Sequence, residues 1–498
     1  MGIRSFFAKP FAAYLHNQTL DWALRPMQTQ TNVFRQLIRQ ARKTDFGREH
    51  GFEHIQTIAD FQKQVPIRDY EALKPYLEKV IEGQRNVLWK GRPLYFAKTS
   101  GTTSGIKYIP ISRQSMPYHI ISARNALMSF VYETGKADFL DRKLIFLSGS
   151  PALDSKNGIL TGRLSGIVNH HVPAWLRGNQ LPSWQTNIIE DWEEKLDKIV
   201  EETLHQDMGL ISGIPPWVQM YFDRIIAKTG KRIKEVFPNF SVFVYGGVNY
   251  EPYRARIEES IGQPISSIET YPASEGFIAY QNSQKESGLL LLLNHGIFYE
   301  FVPLEEYFQP NPRRFTIEEV ELEKNYALIM STNAGLWAYS IGDTVKFVAK
   351  NPYKLLVTGR VKHFISAFGE HVIGEEVEKA MCLALEKYPQ VKIAEFTVAP
   401  MVTPSEGLPY HEWLIAFVNS PDSIDDFADE IDIQMRNLNI YYEDLRAGNI
   451  LRRLVITSLL PDAFQQYMKS IGKLGGQNKV PRLANDRKIA DALSLWRR

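Results

Sequence analysis

The chain has 498 residues and one cysteine, Cys382. That excludes an intramolecular disulfide and a cysteine-rich metal site. Cys382 lies in an apolar helical pattern with Val377, Ala380, Met381 and Leu385, which predicts a buried structural thiol. Long apolar runs are missing too. The longest aliphatic stretch, Leu289 to Leu293, is far too short to span a bilayer. The opening Met-Gly-Ile-Arg-Ser-Phe-Phe lacks the apolar core and small-residue cleavage site of a secretory leader. Phe6 breaks the N-myristoylation pattern. Charge of one sign is not in excess: 58 Lys and Arg face 56 Asp and Glu, for a net +2. That balance predicts no general affinity for nucleic acid or anionic membrane. Together these absences predict a cytoplasmic protein with no nucleic-acid and no membrane partner. Oligomeric state is not legible.

Several catalytic signatures are also absent. No Walker Gly-x-x-x-x-Gly-Lys-Ser/Thr occurs. His411-Glu-Trp-Leu-Ile has no second histidine, so there is no zinc helix of the His-Glu-x-x-His kind. His170-His171 is not followed by the aspartate of His-His-x-x-x-Asp acyltransferases. Ser104–Lys107 and Ser470–Lys473 fit Ser-x-x-Lys, but Lys228-Thr-Gly230 ends a helix and precedes Tyr280–Asn282, the wrong order for a serine acyl-transfer enzyme.

What the chain does have is the segment Ala97 to Pro110, Ala-Lys-Thr-Ser-Gly-Thr-Thr-Ser-Gly-Ile-Lys-Tyr-Ile-Pro. Ser100, Thr102 and Thr103 can donate hydrogen bonds to oxyanions. Gly101 and Gly105 permit backbone N–H groups to converge on one point. Lys107 adds a full positive charge. This is a polyphosphate cradle by composition, or otherwise a surface loop rich in Ser, Thr and Gly.

Organisation follows from periodicity. The first hundred residues read as helical. Val33, Leu37, Ile38 and Ala41 share a face, Thr57 with Asp60 resembles a capping box, and Asp69 can cap a helix carrying Leu73, Tyr76, Leu77 and Val80. A helix over about Met116 to Tyr132 follows. Strands are then expected at Leu144–Leu147, Leu210–Ser212, Val242–Tyr245 and Ser266–Thr270. Helices are expected at about Glu190–Gln206, Trp217–Thr229 and Tyr253–Ser260. The alternation predicts α/β layering with largely parallel sheets. From about residue 288 short strands follow one another: Leu289–Leu293, Phe298–Val302, Glu318–Glu321, Ala327–Ser331, Val345–Val348 and Lys354–Val357. They predict an antiparallel region, a small barrel in form. A compact α+β unit closes the chain, with helices Glu375–Glu386 and Ile424–Leu438 and strands Ile393–Val398, Trp413–Val418 and Leu454–Thr457. The expected domains are 1–357, β-rich from 288, then a hinge at 358–366 and a small unit at 367–498.

Four further motifs carry chemistry. In Tyr271-Pro-Ala-Ser274-Glu275-Gly, a carboxylate follows a strand, where α/β proteins bind ligands. Glu275 could hold Mg²⁺ against phosphate, Tyr271 could stack on a base, and Ser274 could touch a phosphate. In Tyr339-Ser-Ile-Gly342-Asp343, expected to end a strand in a tight turn, Asp343 suits the vicinal hydroxyls of ribose. Gly359-Arg360-Val-Lys362 offers a guanidinium for a phosphate or ribose oxygen and a bend between lobes. Gly475-Gly-Gln-Asn-Lys479-Val-Pro-Arg482 sets a lysine in a glycine-flanked loop of a small lobe, where closure can deliver it. Taken singly, each also reads as an ordinary turn or solvated residue.

In this order, the phosphate segment and the four later motifs resemble the signatures of adenylate-forming enzymes over about residues 30 to 490. Within that superfamily the chain is most similar to the auxin-responsive acyl-acid amido synthetases, on Thr44-Asp-Phe-Gly47 with His50-Gly-Phe52, Val65-Pro-Ile-Arg-Asp-Tyr70 through Gly83, Ser266–Gly276, Ile365–Glu370 and Gln477–Arg482. The resemblance implies ATP and Mg as cofactors. Ser100, Gly101, Thr102, Thr103 and Lys107 would cradle the phosphates, Tyr271 and Ser274 would flank the nucleotide, and Glu275 would ligate magnesium. Asp343 would bind ribose, Arg360 would reach the nucleotide, Lys362 would be the hinge, and Lys479 would be the catalytic cation between carboxylate and α-phosphate. Arg124, Tyr245, Gly246 and Gly247 are acyl-pocket candidates. Ser340 departs from an arginine frequent in relatives. Ser366 stands where many acyl-CoA synthetases carry lysine, and His371 falls near a lysine used by some plant relatives. The implied reaction is adenylation of a small carboxylic acid, then transfer to an amine, an amino acid by resemblance. The alternatives are an acyl-CoA ligase with a thiol acceptor and a nucleotide-binding module without turnover.

Overall fold

We describe a computed structural model of all residues except 1, 101–105, 248–249, 362–363, 366–371, 449, 475–478 and 485, and without the side chains of 100, 106, 174–175, 252, 364–365, 440–441 and 444. The chain packs as two units. One comprises 1–214, 224–248 and 265–356; the other comprises 215–223, 249–264 and 357–498.

The first unit begins with helices α1 (Ile3–Ala23) and α2 (Pro26–Ala41). Pro26 opens α2, where its missing N–H costs nothing, and Val33, Phe34, Leu37, Ile38 and Ala41 line its buried face. Thr57 and Asp60 form the expected capping box. Asp69 caps Tyr70–Ile81 by accepting from the Ala72 N–H at 3.1 Å. The helical reading of the first hundred residues fails at its end. Strand β1 (Tyr95–Ser100) pairs antiparallel with β2 (Ile106–Ile111). Ile109 and Ile111 are buried, as are Phe96 and Ala97, and β-branched residues suit that pleated surface.

Strand β3 (Lys143–Phe146) belongs to the main sheet, whereas β4 (Asp154–Lys156) and β5 (Ile159–Gly162) join the first pair in the order β2-β1-β5-β4. Ten more strands follow: β6 (Gln180–Leu181), β7 (Met208–Ser212), β8 (Val242–Gly246), β9 (Ser266–Ala273), β10 (Gly276–Tyr280), β11 (Leu289–Leu291), β12 (Ile297–Pro303), β13 (Asn325–Thr332), β14 (Tyr339–Lys350) and β15 (Tyr353–Arg360). With β3 they make one eleven-stranded sheet ordered β12-β13-β14-β15-β11-β10-β9-β8-β7-β3-β6. Pairing is parallel from β6 through β3, β7 and β8 to β9, where helices intervene in sequence. It turns antiparallel at the β9–β10 hairpin, because a tight turn can only reverse the chain. The antiparallel region expected from residue 288 is therefore continuous with the parallel strands. Leu144, Leu210, Val242 and Ile268 share one core with Phe130 of the helix Met116–Thr134 and with Ala8, Ala12 and Leu15 of α1.

Two local expectations are corrected. Glu318–Glu321 is no strand: Glu319 Oε2 accepts from both the backbone N–H and the hydroxyl of Thr316 at 2.7 Å, which folds the segment into a turn. Tyr339–Asp343 opens a strand and does not end one. Its register against β13 slips between Ala327 and Ile329, and Gly342 takes φ +84° at the slip.

In the second unit β16 (Phe364–Ile365) pairs with β17 (Val372–Ile373). Strands β18 (Lys392–Met401), β19 (Tyr410–Asn419) and β20 (Val455–Leu459) form a three-stranded sheet. Alternation along β19 divides its residues between two cores. Trp413, Ile415 and Phe417 pack with Val377, Met381, Phe427 and Met435 from helices Gly374–Lys387 and Ile424–Leu438. Leu414 and Ala416 pack with Phe464 and Leu493. Cys382 is only half-buried, not fully buried as expected, and burial still pushes its thiol up to about 12.

Candidate functional site

The site in the first unit is assembled from backbone that reverses direction. Ser274 and Glu275 are the two turn residues between β9 and β10, with Ala273 paired to Gly276 across the hairpin. Tyr271 sits three residues before Ser274, within β9, and is buried. Its hydroxyl donates to Asp343 Oδ2 at 2.6 Å. Asp343 stands beside Gly342 in the β14 register slip, and a bulge of this kind re-aims a side chain out of the ladder. Two motifs whose bonded residues stand 72 apart in sequence are thus joined by one hydrogen bond.

Glu275 is drawn into the same neighbourhood by Tyr339, the first residue of β14, whose hydroxyl donates to Glu275 Oε1 at 3.4 Å. Burial pushes the Tyr339 phenol well up, and the carboxylate of Glu275, with Tyr70 and Asp69, pushes it further. Tyr339 therefore stays a donor. Tyr70 and Arg68 belong to a segment that runs along the start of β14: the Arg68 N–H donates to the Ala338 carbonyl at 3.0 Å and the Ser340 N–H to the Arg68 carbonyl at 2.8 Å. Tyr70 in turn accepts from the Tyr108 N–H at 2.9 Å, and Lys107 Nζ lies 5.3 Å from the centre of its ring. Thr99 pairs with Lys107 and Ser100 with Ile106 across β1 and β2. Tyr70 is the residue that the motif reading missed. It stands in Val65–Tyr70, a stretch notable only as a family likeness, and nothing in its spacing points toward Lys107.

The remaining expected residues fall as follows. Gly101, Thr102 and Thr103 of the phosphate segment, the hinge candidate Lys362, and Ser366 and His371 lie outside the described residues. Tyr245 and Gly246 end β8 beside β9. Tyr245 pairs with Glu269 and donates to its Oε2 at 3.4 Å, and Gly246 pairs with Thr270. A Cβ at Gly246 would come within 2.4 Å of the Thr270 carbonyl oxygen, so only glycine allows the two strands this approach. Gly247 follows with φ +77°. Arg124 has its contacts with other residues: its guanidinium lies 5.3 Å from the Phe11 ring centre, and its Nη2 donates to Asn125 at 2.9 Å. Ser340, at the position of the relatives' arginine, is buried and bonds the Tyr307 hydroxyl at 2.7 Å.

In the second unit Arg360 is exposed at the end of β15, and Lys479 is exposed. The chain just after Lys479 is clamped. The Pro481 carbonyl accepts from the Thr397 hydroxyl at 2.7 Å, and the Val398 N–H donates to the Arg482 carbonyl at 2.9 Å. Arg482 donates to Glu378 at 3.0 Å, to Glu395 and to the Tyr253 hydroxyl.

These residues suit a magnesium nucleotide. Mg²⁺ is commonly held by one or two carboxylates plus phosphates and water, not by a protein cage. Glu275 offers one half-buried carboxylate, and among the described residues no group of three His, Cys, Asp or Glu could form a cage.

Models of the GH3 family N-terminal, central and C-terminal domains match residues 16–188, 290–360 and 375–488 in that order. Jasmonoyl--L-amino acid synthetase JAR4 of Nicotiana attenuata is 22% identical over 64% of this chain, and the match spans only 66% of that relative's own length. Indole-3-acetic acid-amido synthetase GH3.3 of Arabidopsis thaliana is 22% identical over 93% of this chain and 90% of its own. The fold matches that of GH3.15 acyl acid amido synthetase with TM-score 0.77 at 15% identity over 96% of both chains. It also matches 2-hydroxyisobutyryl-CoA ligase with TM-score 0.63 at 13% identity over 95% of this chain and 91% of that one. With all three domain models matched in sequence order, the chain belongs to the GH3 family.

Proposed function

We propose that this protein is a ligase that uses ATP and Mg²⁺ to adenylate a small carboxylic acid and then passes the acyl group to the amine of an amino acid, forming an amide. The reading is carried by one observation: Tyr271, bonded to Asp343, and Glu275, bonded to Tyr339, stand on one β9–β10 hairpin, and Tyr339 is coupled electrostatically to Tyr70, whose ring lies against Lys107, so that three motifs far apart along the chain come together. The fold is common to amide-forming and CoA-dependent relatives, so it leaves the acceptor open. Membership of the GH3 family favours the amine.

A carboxylate resists nucleophilic attack because the attack adds charge to an anion, and transfer of AMP removes that obstacle. Magnesium, when bound, supplies charge neutralisation at the phosphates. Glu275 would hold it, and Asp343 would accept from the ribose hydroxyls while Tyr271 fixes its orientation. Ser100, Thr102, Thr103 and Lys107 would hold the phosphates, and Lys479 would stabilise the charge that develops between carboxylate and α-phosphate. Contacts of that kind are worth about 3–4 kcal/mol each. Lys362 would be the pivot between the two half-reactions.

The test is ATP–pyrophosphate exchange against a panel of carboxylic acids with magnesium, followed by amino acids and coenzyme A offered separately. Exchange with at least one acid and amide formation with an amino acid are expected. Lys479→Ala should slow exchange about 10²- to 10³-fold. Absence of exchange with every acid would remove the proposal, and thioester formation alone would replace the acceptor.

A further inference from the structure

Helix α1 is built inside out. It buries Ser5, Ala8, Ala12 and Leu15, so over its first three turns the side chains that face the core are small. The large ones face away. Phe6 and Phe7 are each 63% exposed, Tyr14 57% and Ile3 78%, while Phe11 is 40% exposed. At about 100° per residue, Ile3, Phe6, Phe7, Phe11 and Tyr14 form one strip on the outer face, interrupted by no charged residue. The helix is also firmly placed. The Asp141 carboxylate accepts from the backbone N–H groups of Gly2 and Arg4 at 3.0 Å and from that of Ser5 at 3.4 Å. A Cβ on Gly2 would meet that carboxylate at 2.3 Å, so the anchor uses the absence of a side chain there.

Two cations flank this strip by the same helical projection: Lys9 on one edge and, on the other, Arg4, whose Nη1 also donates to the Leu140 carbonyl at 3.5 Å. From Gly2 to Lys43 the bases are Arg4, Lys9, Arg25, Arg35, Arg39, Arg42 and Lys43, and Asp21 is the lone acid. That segment carries +6 within a chain of net +2, so the remaining residues carry −4. Within α1 itself the charges are Arg4, Lys9 and Asp21, and the other five bases lie on or beside α2, so the near-neutral average hides a basic N-terminal pair of helices whose first member carries the aromatic strip.

We propose that α1 docks on an anionic lipid surface, lying in the interface with its aromatic strip among the upper acyl chains and its basic flanks among the headgroups. The alignment of apolar strip and cationic edges is that of an interfacial helix. The helix lies on the bilayer and does not cross it: among the described residues no helix is long and apolar enough to span. A second copy of the chain is the poorer occupant. A two-fold contact would bring the cationic edges of two copies together, and α1 has no acid between Gly2 and Leu20, while Asp141 beside its first turn is taken up by the N–H groups of Gly2, Arg4 and Ser5. Like charges so placed oppose association.

The experiment is flotation of the full chain with phosphatidylcholine vesicles, with and without about 30 mol% phosphatidylglycerol, at about 0.1 M and about 0.5 M salt. The expected result is binding to the anionic vesicles that weakens with salt. The double variant Phe6→Ser/Phe7→Ser should lower the bound fraction at least about tenfold, and Lys9→Glu should lower it severalfold. These positions are exposed, so thermal unfolding and ATP–pyrophosphate exchange should match the parent and separate this proposal from the enzymatic one. No binding to anionic vesicles, or equal binding by the double variant, would overturn it. So would a parent that self-associates in sedimentation velocity while its double variant is monomeric and neither floats, because the strip would then be a contact between copies.

Discussion

His119 lies on the helix Met116–Thr134, 3% exposed and with its Nδ1 unpartnered, and His295 is similarly buried with its Nδ1 2.8 Å from the Ser122 hydroxyl. Burial lowers both imidazoles to about 4. Folded, they are neutral down to that pH; unfolded, they take up protons near 6.5. The stability they hold is full above about pH 6.5 and is lost as pH falls toward 4. The loss is of order 3 kcal/mol for each. Urea midpoints should fall between pH 7 and pH 5, and His119→Gln should flatten that fall; an unchanged slope would show that other groups carry the acid response. Elsewhere in this unit Glu300 is fully buried, and Arg314 grips both its oxygens at 2.9 and 2.6 Å while donating to the Val65 carbonyl at 2.6 Å. Arg314→Met should cost about 3–5 kcal/mol by leaving a buried carboxylate unpaired, and adding Glu300→Leu should restore most of it. Neither pair was legible in the sequence. His295 reaches Ser122 across 173 residues, and Arg314 reaches Glu300 through the bridge between Phe301 and Phe315, and no helical or strand periodicity records either contact.

At the scale of elements, sequence served well where local chemistry decides. The Thr57 and Asp69 caps, and helix Ile424–Leu438, stand where capping and periodicity put them. It failed where pairing decides: β1 and β2 read as a polar loop because Thr, Ser and Gly conceal a strand that tertiary contacts stabilise. The Asp343 motif was visible as a run of residues, but its geometry was not. Its glycine serves a register slip, and only the partner strand β13 defines a slip. Gly342→Ala should therefore act on function through shape. A side chain at φ +84° is strained by about 1 kcal/mol, and relief of that strain would turn Asp343 away from Tyr271. The expected outcome is a KM for ATP raised about tenfold or more, with a small change in melting temperature. A large loss of stability with unchanged KM would assign the slip to folding alone. In the second unit, Arg482→Met should loosen the clamp behind Lys479. Exchange should then slow at saturating ATP while the KM for ATP stays near the parent's, as expected of a positioning residue.

For the molecule as a whole, averages misled more than motifs did. A net charge of +2 is true of the chain and of neither of its parts. The α/β class was readable because helices alternate with apolar runs up to Ser266. The continuity of the antiparallel strands with the parallel ones was not, because it depends on β11 inserting between β10 and β15.

That insertion has a consequence for any attempt to take the chain apart. The central family segment, residues 290–360, holds most of β11 and all of β12 to β15, but β9 and β10 lie before it. A gene fragment cut at its start would carry a raw seam of unsatisfied amides along β11, and its counterpart would carry the matching seam along β10. Evolutionary modules and folding modules thus part company here. Expressed alone, 290–360 should precipitate, and co-expression with the preceding fragment should rescue both; a soluble, dispersed 290–360 peptide with a cooperative melt would show that the seam seals itself.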